Sequence, residues 1–467
     1  YFSFSVAQGV LRPMTPMGLQ AWRTLVSGAL QLLGLARPDP RRGPRFVRDG
    51  AGRLFLDVTE LLRSDLGRSF ARFALPRMEA RSLAIIEPLL GDPRLPLVRT
   101  SRLAVLRRAL PALARSRAPL QALAALRRPA ATYGRISTVS DELIARLAPP
   151  PGAGAAARLD AVERLLFEGV RAVFLRVVPV FGVGMLSLVL ARRLLGPLCE
   201  RTELETVLRS LPRNPTTEMD LALWALAQRL RGDDASAAAL RREEPAALSR
   251  RYREGALPAL LQGELRRFLD TWGARGVAEI DLGVARWRED PTHILGTLAN
   301  YLLHESAAGA PDALFRRGAE EAEAMVAELT RRAAQEGALR GRAVAFLLRA
   351  VRELAGAREM PKFQLVRLLG FVREQPLAIG AELAAAGRLG AAEDIFFLDL
   401  EEARAALGGA DQRASVRERR AAYARELGRR HLPRVLLSDG TEPEAPRGPG
   451  DDGALRGSPA SAGVIEG

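Results

Sequence analysis

Along most of this chain apolar residues recur at intervals of three and four, the spacing of one face of a helix. Between residues 159 and 174, Leu159, Val162, Leu165, Leu166, Val170 and Val173 fall on one stripe, which predicts a helix with that stripe buried. Residues 319–335 also read as a helix, with Glu328 four positions ahead of Arg332 in the favourable acid-before-base order. Two-residue alternation is rare and sits near the ends. Residues 2–6 alternate Phe with Ser, residues 53–58 (RLFLDV) alternate in part, and 434–437 form a short apolar run before Ser438, Asp439 and Gly440. The pattern predicts a mostly α fold with small β elements at its borders.

Three stretches rich in Pro and Gly, 36–45, 148–157 and 441–454, are too poor in apolar side chains to join a core. They predict a linker and opening strand over 1–45, a helical domain over 46–435 with two sub-bundles divided near 148–157, and a separate piece over 436–467. The longest apolar run, 177–191, is shorter than the ~20 residues of a membrane-crossing helix and contains Pro179, Gly182 and Gly184, so a buried core helix is expected. Residues 97–128 are rich in Leu, Ala and Arg, and Pro111 and Pro119 cut them into short helices. A solvated arginine face over a leucine core is the expectation there, and an anionic membrane surface is the other reading.

Composition changes the picture in one respect. The 467 residues carry 69 Lys+Arg against 54 Asp+Glu, a net charge of +15, yet only Lys362 is a lysine and the other 68 are arginine. The arginines are interleaved with acids along the chain, as when Arg replaces Lys on ordinary surfaces. That argues against a nucleic-acid binder, which gathers its charge on one face or in a tail. The single cysteine, Cys199, excludes an internal disulfide and a multi-cysteine zinc site, and His293, His304 and His431 have no zinc-ligand spacing, so no metal site is expected. Residues 1–8 lack the basic and apolar regions of a secretion signal. The expectation is a cytoplasmic chain with no membrane partner, and Tyr1 in place of Met points to a fragment at the front end.

No G-x-S-x-G elbow, Walker loop, H-E-x-x-H or strand-to-helix G-x-G-x-x-G occurs. Instead the chain carries, in order, QGVLRPMTPMG (8–18), GRLFLDVTELLR (52–63), LPRNPTTEMDLALW (211–224), GARGVAEIDLGVARWREDP (273–291), REMPKF (358–363), GRLGAAEDIFFL (387–398), LLSDGTEP (436–443) and LRGSPASAGVIEG (455–467). This series resembles the phosphoenolpyruvate-synthase-like phosphotransferases, and most closely their rifampicin phosphotransferase branch, over nearly the whole chain. The resemblance implies the helical substrate-binding domain of an enzyme in which ATP phosphorylates a carrier histidine, with release of AMP and phosphate, and the histidine passes the phosphoryl group to a substrate hydroxyl. It implies an ATP-grasp domain before Tyr1, a truncated start of the swivelling β/α phosphohistidine domain over 436–467, and a carrier histidine beyond Gly467. ATP and Mg are implied for the full-length enzyme and no cofactor for this chain. Ala274 departs from the pattern, since relatives usually have His there. A phosphoenolpyruvate synthase or pyruvate-phosphate dikinase relative, and a non-catalytic helical scaffold, are the alternative readings.

Candidate site residues follow. A lone lysine among arginines marks a position where a compact ammonium serves and a planar fork does not, and Arg358 lies four residues before it, with Pro361 between them placed to start a helix. The resemblance assigns Arg358 and Lys362 to the catalytic cations near phosphoryl transfer; the alternative is a surface lysine and an arginine at a helix end. For substrate binding the resemblance points to Phe4, Gln8 and Leu56, an apolar wall with one orienting amide for a macrocycle such as a rifamycin. Phe4 and Leu56 read equally well as inward positions of two short strands. Glu279, Asp281, Arg286, Arg288 and Glu289 are expected to form buried ion pairs that fix a loop, Asn214, Thr216, Thr217 and Glu218 to start a helix, Glu393 and Asp394 to cap a border, and His293 and His304 to be structural.

Overall fold

The stripe over residues 159–174 becomes the inner face of the Ala155–Arg176 helix, where Leu159, Val162, Leu165, Leu166, Val170 and Val173 are all buried. The computed structural model describes residues 1–32, 39, 42–78, 80–99, 101, 103, 104, 107, 110, 111, 114, 117–303 and 309–443. The fold is mostly α. The chain divides into two compact units, one built from Tyr1–Leu11, Arg53–Ser101 and residues from Arg429 onward, the other from Arg12–Gly52 and Arg102–Gly428.

In the smaller unit, strand Phe2–Ser3 pairs antiparallel with strand Arg53–Leu56, Phe2 opposite Leu56 and Ser3 opposite Phe55. On its other side Phe2 bridges Val435, and the Ser3 N–H donates to the Arg434 carbonyl at 2.8 Å. Phe2, Leu62, Ala71, Ile86, Leu90 and Val435 form the core of this unit. The alternation over residues 2–6 predicts a longer strand than forms. After Ser3 the chain turns into the short helix Phe4–Ala7, because the Ser3 hydroxyl accepts from the Val6 N–H, and Ser5 is buried with its hydroxyl accepting from the Leu54 N–H at 2.9 Å. Strand Val47–Gly50, in the larger unit, has one apolar residue in four and left no trace in the pattern.

In the larger unit, helices Pro16–Leu32, Ala155–Arg176 and Met360–Ala385 surround one apolar cluster that includes Leu25, Leu166, Leu369 and Ile379. Gly28 permits the first two to touch, since a Cβ there would overlap the Phe167 carbonyl. Helices Pro215–Arg231, Ala259–Trp272 and Thr292–Leu303 enclose a second cluster, and Val178–Leu195, Pro311–Gln335 and Ala338–Leu354 a third. Truncating Leu166, 1% exposed, to alanine is expected to remove about 2–5 kcal/mol, read as a lower midpoint of urea unfolding.

Glu328 and Arg332 pair at 2.7 Å as their spacing predicted. The run 177–191 lies in helix Val178–Leu195, which buries Val180, Gly184, Ser187, Ala191 and Leu195 along one side but exposes Leu186 and Leu190 on another. By length and composition alone, Ala155–Leu198 is apolar enough to cross a membrane. Among the described residues, the leucine core expected within 97–128 forms only at Leu126, which packs with buried Ala125 against Ile136 and Val173, and is corrected at Leu97, Leu103, Leu110, Leu120 and Leu123, which are exposed together with Val98. The break at 36–45 lies partly, and the piece from 444 wholly, outside the described residues.

Candidate functional site

The 3-10 turn Ala355–Glu359 runs into helix Met360–Ala385, whose first turn holds Pro361 at a position where no backbone donor is needed. Lys362 therefore stands on that first turn, its side chain 44% exposed, with Nζ 3.5 Å from Glu279 Oε1. The Glu279 carboxylate is 6% exposed. It also accepts from Arg275 Nε and Nη2 at 3.2 and 3.3 Å and from the Gly276 N–H at 3.2 Å. Arg275 Nη1 reaches on to the Thr216 hydroxyl at 3.4 Å, on helix Pro215–Arg231, whose start Asn214 caps by accepting from the Thr216 and Thr217 N–H groups. One buried carboxylate thus joins three of the strings singled out in the sequence, 211–224, 273–291 and 358–363.

Glu279 is shared between Arg275 and Lys362, and the half-exposed member of the three is Lys362. An ammonium held at its root and open at its side can present its remaining donors to an anion without reorganising. Arg358, 62% exposed, sits on the turn before and pairs with its own neighbour, Glu359, through Nε and Nη2 at 3.2 and 3.0 Å. The two cations are thus held by different carboxylates on either side of the junction.

The loop that carries Glu279 is pinned on both flanks. Asp281 is buried and accepts from the Thr15 N–H and hydroxyl at 2.9 and 2.6 Å and from the Gly283 N–H at 2.9 Å. Burial still pushes its carboxyl above the ordinary aspartate range. Arg373 clamps Glu289 through Nε and Nη2, both at 2.8 Å, and donates to the Leu282 carbonyl at 2.6 Å. Arg286 is wholly buried, and burial, together with the neighbouring Arg373, lowers its pKa to about 10. Ala274 is 4% exposed and lies against Gly370, where an added Cβ would come within 3.0 Å of its methyl. Gly370 is thus the residue whose lack of a side chain leaves the Ala274 methyl its place.

Phe4, Gln8 and Leu56 belong to the smaller unit, and Arg358 and Lys362 to the larger. Phe4 begins the short helix, and Gln8 closes it with its N–H 3.0 Å from the Phe4 carbonyl. Leu56 lies opposite Phe2 in the sheet and borders the core of that unit. All three are half-buried. Phe4 therefore lies on a helical turn, one turn from Gln8, and not on a strand.

Glu279 forms a buried ion pair, as its string predicts, with Arg275, but the sequence reading does not foresee its reach to Lys362 and does not single out Tyr133. Glu279 counted as loop chemistry, although a solitary lysine invites a search for its acid among the same strings. Tyr133 donates to Glu218 Oε2 at 3.2 Å, and burial, with Glu218 beside it, raises its phenol so that it stays a neutral donor. Asp394 caps a turn by accepting from the Gly390 and Ala391 N–H groups at 3.0 and 2.9 Å, and His293 stacks on Trp287 with ring centroids 5.8 Å apart. His304 lies outside the described residues.

Comparison with known proteins matches residues 176–359 to the family model described as the rifampicin phosphotransferase fourth domain, a span that holds Glu279 and ends one residue past Arg358. The chain is similar to a rifampicin phosphotransferase of Streptomyces sviceus, 32% identical over 280 residues, which is 58% of this chain and 32% of that protein. A rifampicin phosphotransferase of Bacillus subtilis is 29% identical over 279 residues, again 58% of this chain and 32% of the relative. The chain spans about a third of the length of these curated relatives. Residues 176–359 are thus similar to the fourth domain of rifampicin phosphotransferases, and the chain is similar to curated members of that family over 58% of its length.

Proposed function

We propose that this chain is the central substrate domain of a cytoplasmic, ATP-dependent phosphotransferase that phosphorylates a hydroxyl of a rifamycin-like macrocycle. The observation that carries the reading is Lys362, the one lysine in the chain, held by the buried Glu279 at the edge of the stretch that matches the family's fourth domain. The relatives' name supplies the substrate class. Residues 46–435 act as the substrate domain and residues 436–467 open the domain that carries the phosphohistidine. ATP and magnesium are held by parts of the enzyme outside this chain and supply the phosphoryl group.

In the transfer step the substrate hydroxyl oxygen would bond to the phosphorus as the bond from phosphorus to the histidine nitrogen breaks, the hydroxyl proton ending on that freed nitrogen. Little covalent work falls to the protein in such a reaction. Its contribution is to position the acceptor and to neutralise charge on the phosphoryl oxygens. Lys362 supplies that charge from a fixed root on Glu279, and Arg358 supplies a second cation from the preceding turn. Phe4 and Leu56 present apolar surface to the macrocycle while the Gln8 amide orients its polar edge.

Titration of the protein with rifampicin, followed by calorimetry, is expected to give saturable binding that Phe4→Ala and Leu56→Ala each weaken about tenfold, the effect of losing one apolar anchor. Absence of saturable binding by several ansamycins would remove the antibiotic as substrate and leave phosphoryl transfer to another hydroxyl in place.

A further inference from the structure

We propose that the face carried by helices Ala118–Arg127 and Pro129–Ser137 docks on an anionic lipid bilayer. Residues 102–140 contain eight arginines and no acidic residue. At the chain's average of 54 acids in 467 residues, a stretch of that length would hold four or five. Arginine abundance is general in this protein, so the missing acids are the distinguishing feature.

The structure adds that four of these arginines stand exposed beside uncovered leucines. Arg107, Arg117, Arg127 and Arg128 are exposed, and none is in an ion pair among the described residues. Helix Ala118–Arg127 turns Leu120 and Leu123 outward, 65% and 45% exposed, on the same side as Arg127 by helical spacing, while its inner side buries Ala125 and its Gln121 amide donates to the Leu175 carbonyl at 2.9 Å. An ordinary surface helix does the reverse and keeps its leucines for the core. Leu103 and Leu110, upstream, are exposed as well. Beside this face opens a cleft of about 380 Å³ lined by Leu120, Ala124, Ile136 and Val180 together with Arg117 and Arg135; its one acid, Glu142, is paired with Arg176.

Leucines standing out of a cationic surface match the interface of an anionic membrane, where the chains enter the acyl boundary and the guanidinium groups stay at the headgroups. Single-stranded nucleic acid fits less well, because the one aromatic side chain in residues 102–140, Tyr133, is half-buried with its hydroxyl on Glu218 and offers no open ring on which a base would stack. The membrane reading departs from the expectation of no membrane partner and takes up the other reading of residues 97–128, since Leu103, Leu110, Leu120 and Leu123 stand exposed while Leu126 alone of the described leucines there packs inward. It concerns attachment to a surface and is independent of the phosphotransferase reading.

The test is co-sedimentation of the full-length protein with vesicles of phosphatidylcholine alone and with vesicles containing about a third phosphatidylglycerol. Binding is expected on the anionic vesicles only and to weaken as salt rises. Replacing Arg127 and Arg128 by Ser should lower the partition about fivefold for each charge removed. The pair Leu120→Ser and Leu123→Ser should lower it roughly tenfold or more at unchanged charge. Because these side chains are exposed, thermal unfolding should stay unaltered. No binding to the anionic vesicles would overturn the proposal, and so would binding that ignores the leucine changes, which would leave a charge effect that any polyanion, RNA included, reproduces. A concentration-dependent dimer abolished by the same leucine changes would overturn it in favour of contact between copies of the chain.

Discussion

Lys362→Ala in the full-length enzyme is expected to slow phosphoryl transfer to the acceptor by about two to three powers of ten, while leaving the fold and phosphorylation of the carrier histidine intact. The site explains why the effect should fall on transfer. Lys362 is half-exposed and its ion pair among the described residues is the 3.5 Å contact with Glu279, so its removal empties no core and breaks no cap. Lys362→Arg is the sharper variant. A guanidinium at this position would find the buried Glu279 carboxylate in reach and bond it with two parallel donors, competing with Arg275 and turning away from the phosphoryl group. Activity should fall nearly as far as in the alanine variant, although the charge is kept. The measurement is AMP release that depends on the acceptor. Wild-type activity in Lys362→Arg would return Lys362 to the ordinary surface, as befits a chain in which arginine serves everywhere else.

The second large effect concerns the loop. Asp281→Ala is expected to cost about 3 kcal/mol or more, because it leaves the Thr15 N–H, the Thr15 hydroxyl and the Gly283 N–H without their acceptor in a buried place. Chemical denaturation near neutral pH measures it. The pH dependence has a definite sign. Burial raises the Asp281 carboxyl, so in the window above the ordinary aspartate value the folded state binds a proton that the unfolded state has released. This residue's contribution is fully present below that value and declines as pH rises through the elevated one. Asp281→Asn should abolish that slope, and an identical slope in the variant would assign it to other groups.

The parts of this fold that were legible in the sequence are those where one interaction decides. The stripe from Leu159 to Val173 could bury itself in only one way, and Asn214 before Pro215 and Pro361 before Lys362 are local signals that act within a turn. Residues 2–6 misled because alternation records which side chains are apolar and not where a serine hydroxyl will bond, and Ser3 and Ser5 both turned inward. The leucines of 97–128 misled for the opposite reason: a helical pattern identifies an apolar face without saying what covers it. For the site, the rarity of lysine drew attention to Lys362, but its partner Glu279 lies 83 positions earlier, and a contact of that span has no local signature.

The sheet of the smaller unit has a consequence for how the protein comes to be made. Its strand at Phe2 can meet Arg53–Leu56 on one side soon after both are made, but its other side waits for Arg434 and Val435, about 380 residues later. At typical ribosomal speeds that interval is on the order of a minute, during which the Phe2 backbone shows an unpaired edge and the cluster beneath it lacks Val435. Nascent chains would pass this interval in a state open to chaperones and proteases, and products ending short of Arg434 would never leave it.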